Sequence, residues 1–389
     1  MPDATPIYLD HNATSPVLPA AADAVRDAML RLPGNPGSQH AAGRTARREL
    51  EAARERILTL LGAQTDGLDA DRLLFTSGGT ESNNLALRSF FRSPSGEAGP
   101  PHLVISSIEH PSVDATAAQL EAEGVAVDRA PVDRSGVVLV DRLAELLRPT
   151  TRLVSVMLAN NETGVLQPLE PIAALCQQRG VPLHTDATQA VGKVAVDFAR
   201  LGATLLTFTA HKFHGPWGVG GLLVRAGTPP LVGFGGQPGA ERPGTPTVAL
   251  AIGMETALGA WHDEAAGREA RLGRLRDRFE SLILRDLPKT VVVGAAASRL
   301  PHTSNLAFVG LNRQALQMAL DRAGVQCSTG SACASGSSEP SPPLLAMGLE
   351  KAVVQGALRF SLGAMTTEDD VQQAAARVVT ACRRMGRGK

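Results

Sequence analysis

The sequence predicts an α/β protein: a large domain on a mostly parallel sheet flanked by helices, and a smaller α+β domain towards the C-terminus. Three observations carry this expectation. Short apolar runs alternate with amphipathic stretches through most of the 389 residues, the order expected of a parallel sheet covered on both faces. A long Arg-, Glu- and Ala-rich helical pattern then runs from about Thr247 to about Leu287, long enough to bridge two domains. Beyond it a second, shorter alternation of strands and helices begins. The expected division is a large domain over 16–258 and a small one made of 1–15 and 259–389.

In chain order, Arg44 to Leu61 has the charged and apolar faces of a helix. Leu73 to Thr76 is a strand ended by Ser77-Gly-Gly79, with a helix from Thr80. Leu103 to Ser106 is a strand with a helix after Pro111, Leu153 to Leu158 a buried strand, and Ile172 to Gln178 a helix. Val181 to Thr185, Thr204 to Thr209 and Gly220 to Val224 complete the strands of the large domain. The small domain is expected to hold strands at Val291–Val293, Asn305–Val309 and Ala357–Ser361, with helices at Arg313–Ala323 and Glu368–Arg384.

Composition narrows the partners. Apolar residues make up 43 % and charged residues 20 % of the chain, and the formal net charge is zero. Nothing there suggests a nucleic-acid or anionic-membrane partner. No apolar run reaches the roughly 18 residues of a membrane helix, and the first ten residues do not resemble a signal peptide. Four cysteines, at 176, 327, 333 and 382, are too few for a disulfide scaffold in so long a chain, so a reducing cytoplasm is expected. No Cys/His spacing suggests a metal.

Four segments carry candidate chemistry. In Phe75-Thr-Ser-Gly-Gly-Thr-Glu-Ser-Asn-Asn84 a strand runs through two glycines into a helix. Free N–H groups and the dipole of a helix N-terminus bind anions such as phosphate; the plainer alternative is a turn with a Thr cap. In Leu183-His-Thr-Asp-Ala-Thr-Gln-Ala190, Asp186 falls at the carboxyl end of a strand, where parallel sheets place ligands. A carboxylate there can keep the pyridine nitrogen of pyridoxal 5'-phosphate (PLP) protonated, or simply cap a helix. In Thr207-Phe-Thr-Ala-His-Lys-Phe-His-Gly-Pro-Trp-Gly218, Lys212 follows a strand and precedes a Gly-rich turn, a fixed position suited to a Schiff-base lysine. Of the 38 Lys and Arg residues only five are Lys, and Lys193 is the one serious rival. Finally, Val325 to Ser341 is a run of small residues carrying Cys327 and Cys333. A thiol on such a loop can visit a substrate and then an acceptor; a Ser/Gly linker with incidental cysteines is the alternative.

Taken in order, Tyr8-Leu-Asp-His-Asn-Ala-Thr14, Gly34-Asn-Pro36, Thr76 to Ser82, Glu109-His110, Asn160-Asn-Glu-Thr-Gly164, Asp186-Ala-Thr-Gln189, His211-Lys212 and Ser331-Ala-Cys333 resemble the cysteine desulfurases of the NifS/IscS type. These are fold-type-I PLP enzymes of the class V aminotransferase group, and the resemblance runs from Tyr8 to about Arg384. It implies removal of sulfur from L-cysteine, giving L-alanine and a persulfide on Cys333 for iron–sulfur cluster assembly or another sulfur-transfer pathway. It also implies roles. Lys212 holds the cofactor covalently and moves protons between substrate carbons. Asp186 pairs with the pyridine nitrogen, and His110 stacks on the ring with a part in acid–base steps. Gln189 and Asn161 bond the ring oxygen. Gly79, Thr80, Thr209 and His211 cradle the phosphate, with Thr245 contributed by the partner in a homodimer. Asn35 and Arg359 grip the substrate carboxylate. The sulfur passes to an acceptor protein such as an iron–sulfur scaffold.

The chain departs from the family pattern in three places. Gly235-Gly-Gln-Pro-Gly-Ala240 lacks an Arg that usually precedes the Arg-x-Gly-Thr element, here Arg242 to Thr245. Thr209 stands where Ser is frequent and keeps the hydroxyl. The tail after the last helix is shorter than that used by the IscS branch for its scaffold. The long small-residue loop matches the long-loop group of the family, and the His-His-Cys signature of the other group is absent. Two other readings stand beside this one: a different PLP lyase or transaminase on the same fold, which Cys333 disfavours, and a sulfur-relay protein without chemistry, which Lys212, Asp186 and His110 together disfavour.

Overall fold

The computed structural model describes residues 5–67, 69–91, 99–231, 241–330 and 339–386. Cys333 lies outside the described residues. The strands are β1 (Ile7–Tyr8), β2 (Arg72–Thr76), β3 (His102–Ser106), β4 (Ala126–Ala130), β5 (Thr151–Ser155), β6 (Leu183–Asp186), β7 (Leu205–Thr209), β8 (Gly220–Val224), β9 (Thr290–Val292), β10 (Thr303–Phe308), β11 (Val325–Gln326) and β12 (Ala357–Ser361). Seven of them form one sheet in the order β2-β8-β7-β6-β5-β3-β4. Within it β8 runs antiparallel to both neighbours and the other pairings are parallel. The mostly parallel sheet expected from the sequence is therefore present. Its central strands β5 to β8 are buried almost throughout, as strands covered on both faces must be.

The second sheet is antiparallel, in the order β12-β10-β9, and β1 pairs in parallel with β11. The helix Val248–Asp286 joins the two regions. Its first half sends Ala251, Met254, Ala257, Leu258 and Trp261 into the apolar cluster around the large sheet. Its second half sends Leu272, Leu275, Phe279, Leu282 and Ile283 into a separate cluster with Leu306, Phe308, Phe360 and Val378. Ile7 and Leu9 belong to this second cluster too, so the N-terminal segment packs against the C-terminal part of the chain.

Local differences from the sequence expectation have physical reasons. The helix expected from Arg44 starts earlier, at Ala41, because the His40 side chain caps it by accepting from Gly43 N–H at 3.2 Å. β5 ends at Ser155, yet Val156 and Leu158 still bond the β6 backbone, at 3.1 and 3.0 Å. β4 was not foreseen: it is an edge strand with only Ala130 buried, so it carries little apolar signal.

Among the described residues no helix is long and apolar enough to cross a membrane. None of their His, Cys, Asp and Glu residues form a group of three able to hold a metal.

Burial keeps seven histidines neutral. His11 is pushed down to about 3, His184 and His211 to about 4, and His102, His110, His214 and His302 are lowered as well, in each case chiefly because the cation would lose its water. In the unfolded chain these imidazoles take up protons near pH 6.5, so below that pH the unfolded state binds more protons and gains on the native one. Glu109, raised by burial to about 8, acts in the opposite direction as one group against seven. The urea midpoint of the protein is expected to fall steadily from pH 7.5 to pH 5. A midpoint that rose over that range would contradict this balance.

Candidate active site

A cavity of about 190 Å³ opens where the strands of the large sheet end at their carboxyl side. Asp186 closes β6 and Thr209 closes β7. Lys212 follows three residues later, in the single turn Ala210–Lys212. The cavity is lined by ten residues to which the resemblance gives roles, Gly79, Thr80, His110, Asn161, Asp186, Gln189, Thr209, His211, Lys212 and Arg359, and by others of the quoted motifs, Asn12 and Ala13 among them. Thr245 and Asn35 are exposed and do not line it. Asn35 instead turns its Oδ1 to Gly37 N–H at 2.8 Å.

Each polar group is held by neighbours. Asp186, 5 % exposed, accepts from Asn83 Nδ2 at 2.7 Å and from Thr188 N–H at 2.9 Å. Asn83 also donates to Ser112 Oγ at 2.8 Å, and Ser112 meets His110 Nδ1 at 2.8 Å. His110 Nδ1 accepts from Ser112 N–H at 3.1 Å, which assigns its ring proton to Nε2. Burial lowers the His110 pKa, with Asp186 opposing and Lys212 and Arg359 assisting. The ring is thus a neutral imidazole at ordinary pH, able to take or give one proton. Lys212 Nζ donates to the carbonyls of Asn12 at 2.6 Å and Ala13 at 2.7 Å.

Lys193, the rival lysine, is 6 % exposed and does not line the cavity. Its Nζ donates to Gln189 Oε1 at 3.1 Å from behind, and burial holds its pKa well below the ordinary value. Gln189 Nε2 in turn donates to Asn12 O at 3.0 Å.

Arg359, 1 % exposed, donates to Asp10 Oδ1 at 2.7 Å and to Asn161 O at 3.0 Å, while its Nε is buried without a partner. A buried donor left unbonded costs free energy, and a carboxylate entering the cavity would supply an acceptor.

The opposite end suits an anion. The helix Gly79–Ser89 has no side-chain cap, so the N–H groups of its first turn are available to an anion at the cavity. A Cβ built on Gly79 would stand 3.2 Å from Thr188 Oγ1, itself buried and unpartnered. Glycine keeps that cradle open. Thr209 and His211 flank it, and His211 Nδ1 lies 3.2 Å from Thr14 Oγ1.

Four polar lining residues carry no role in the sequence reading: Asn12, Asn83, Ser112 and Thr188. Three of them lie in or beside quoted motifs, but their function is to bond other site residues, and only the fold shows which. Of the two loop cysteines, Cys327 is buried and burial pushes its thiol far up.

Residues 7–374 match the class-V aminotransferase family. The chain is 42 % identical over 374 residues to a cysteine desulfurase of Cereibacter sphaeroides, covering 94 % of this chain and 93 % of that one. It is 41 % identical to an IscS-like cysteine desulfurase of Mycobacterium tuberculosis, covering 94 % of each. Among solved structures, a NifS-like protein superposes with a TM-score of 0.87 at 30 % identity, over 97 % of this chain and 99 % of that one. The structure described as SspA in complex with cysteine gives 0.79 at 29 % identity, over 92 % and 99 %. With a matched family spanning nearly the whole chain and curated relatives this similar, the chain belongs to the class-V aminotransferases and, within them, to the cysteine desulfurase group of the NifS/IscS type.

Proposed function

We propose that this protein takes the sulfur of free L-cysteine, releases L-alanine, and carries the sulfur as a persulfide on its own Cys333. The observation that carries the reading is the meeting of Lys212, Asp186, His110 and Arg359 at one cavity with an uncapped helix N-terminus at its other end. That donor set fits PLP: an anion cradle at Gly79, Thr80, Thr209 and His211, a carboxylate at Asp186, amides at Gln189 and Asn161, and an amine at Lys212. When bound, the cofactor would supply an electron sink for the substrate carbon. Lys212 would hold it covalently, and Asp186, kept in place by Asn83 and the Thr188 N–H, would pair with its ring nitrogen.

The chain's own groups do the rest. Arg359 takes the substrate carboxylate through its unpartnered Nε. With cysteine in the cavity, the Lys212 amine would remove the Cα proton. His110, neutral and turned by Ser112, is suited to relay a proton beside it. The Cys333 thiolate attacks the substrate sulfur: a sulfur–sulfur bond forms, the bond from Cβ to sulfur breaks, and its electron pair stays on carbon. Lys212 returns a proton there, the proton given up by the Cys333 thiol and relayed through His110 restores Cα, and L-alanine leaves.

The exposure of Thr245 outside its own cavity supports a homodimer in which it serves the partner's phosphate end. The apolar cluster that Ile7 and Leu9 share with Leu272, Phe279, Leu306 and Phe360 supports grouping 1–15 with the C-terminal part in the proposed division into 16–258 and 1–15 with 259–389, while Val293, Leu300, Leu344 and Val354 pack with the large-sheet cluster. Cys176, Cys327 and Cys382 are unpaired, which supports a reducing cytoplasm, where an acceptor protein such as an iron–sulfur scaffold would collect the sulfur.

Two substitution sets test the reading. Lys212→Ala should abolish turnover, and borohydride reduction of the loaded wild type should label Lys212; label on Lys193 would overturn the assignment. Cys333→Ala should still bind cofactor and cysteine yet form no persulfide, whereas Cys327→Ala should keep most activity. Mass spectrometry after one turnover decides between them: sulfur on Cys327 with Cys333 unmodified would reverse the roles.

A further inference from the structure

Glu162 follows Asn161 on the turn that lines the cavity, and it is 2 % exposed. Its backbone is held on both sides: its N–H donates to Asn160 Oδ1 at 3.0 Å and its carbonyl accepts from Asn305 Nδ2 at 3.2 Å. Its carboxylate touches two places distant in sequence. Ser341 Oγ donates to Oε2 at 2.7 Å. Gly330 packs against the same carboxylate so closely that a Cβ there would lie 3.1 Å from Oε2, and its φ of +148° disfavours any other residue. Gly330 and Ser341 stand on either side of Cys333 in the sequence.

The approach to Gly330 is tied to the cavity as well. Ser328 and Arg359 exchange backbone bonds, at 3.1 and 2.8 Å, and Ser328 Oγ donates to Gly330 O at 2.8 Å. On the other flank Arg313 donates to Glu339 O, and the Ser341 hydroxyl also accepts from Leu344 N–H at 3.3 Å. A chain advances at most about 3.5 Å per residue, so three residues of chain beyond Gly330 span no more than about 10 Å from that anchor. Where Gly330 is held therefore limits where the thiol can go.

We propose that Glu162 is a positioning residue that fastens both chain ends flanking Cys333 to the cavity wall, so that the thiol starts each turnover from anchors fixed relative to the bound cysteine. This rests on the reading of Cys333 as the sulfur carrier. Glu162 does not touch the reacting atoms; it acts through Gly330 and Ser341. Its loss should slow sulfur transfer without weakening the grip on cysteine, because Arg359, which takes the substrate carboxylate, bonds Asp10 and Asn161 O and not the Glu162 carboxylate.

The test uses the loaded full-length enzyme with Glu162→Ala, Glu162→Gln, Ser341→Ala and the Glu162→Ala/Ser341→Ala pair. Cysteine affinity is read from the spectral change of the cofactor on titration, and sulfur on Cys333 from quenched single-turnover mass spectrometry. Glu162→Ala should bind cysteine as wild type does while persulfide formation slows by about tenfold or more. Glu162→Gln, which keeps an acceptor for Ser341, should recover part of the rate. Ser341→Ala should also slow transfer, and the pair should be no slower than the slower single variant, as expected for two residues acting through one contact. A wild-type transfer rate in Glu162→Ala, or cysteine affinity lost in proportion to rate, would overturn the proposal. If Glu162→Ala does not fold, Ser341→Ala decides alone, with a wild-type rate counting against it. A wild-type enzyme that puts no sulfur on Cys333 would overturn the carrier reading itself.

Discussion

The buried bonds of Asn12 tie the rest of the site together. The residue is 1 % exposed and lies where the N-terminal segment passes between the large sheet and the small one. Its N–H donates to Ser361 Oγ at 2.9 Å, its Nδ2 to Asn161 O at 3.1 Å and Thr303 Oγ1 at 3.0 Å, and its Oδ1 meets His302 Nε2 at 2.8 Å. Its carbonyl receives both Gln189 Nε2 and Lys212 Nζ. One asparagine thus connects β10, β12, the Asn161 turn and the lysine. In a buried polar network every unmade bond is costly, so these bonds help fix the cavity wall between the two sheets.

The same constraint explains the basic groups gathered behind the cavity. His11, His214, His302 and Lys193 are all buried, and each is held below its ordinary pKa first by desolvation, with positive neighbours adding to it. His214, His302 and Lys193 bond Pro16 O, Asn12 Oδ1 and Gln189 Oε1, while His11 Nδ1 is left without a partner. Lys193 steadies Gln189 from outside the cavity, whereas Lys212 stands inside it. Burial and direction separate two lysines that residue type alone does not.

The alternation of apolar runs and the strand-end motifs made the large sheet and most of the cavity legible in the sequence. Asp186 and Thr209 each close a strand and Lys212 follows in the next turn, and the Gly-Gly turn before Thr80 marks the helix start that reaches the cavity. The edge strand β4 was hidden because one face of it meets solvent. The supporting bonds were hidden for another reason: Asn12 and Thr303 are 291 residues apart, and Asn83 and Asp186 are 103 apart. No local pattern records such pairings. Glu162 stood in full view within the Asn160 to Gly164 motif, yet its contacts with Gly330 and Ser341 exist only in the folded chain.

The central claim is that sulfur leaves cysteine as alanine forms and stays on the protein. One measurement addresses it directly: a stoichiometric amount of L-cysteine is mixed with the loaded enzyme, without acceptor or reductant, and products and intact protein mass are counted together. The account predicts one L-alanine released per sulfur atom gained by the chain. A keto acid in place of alanine, or alanine without sulfur on the protein, would contradict it.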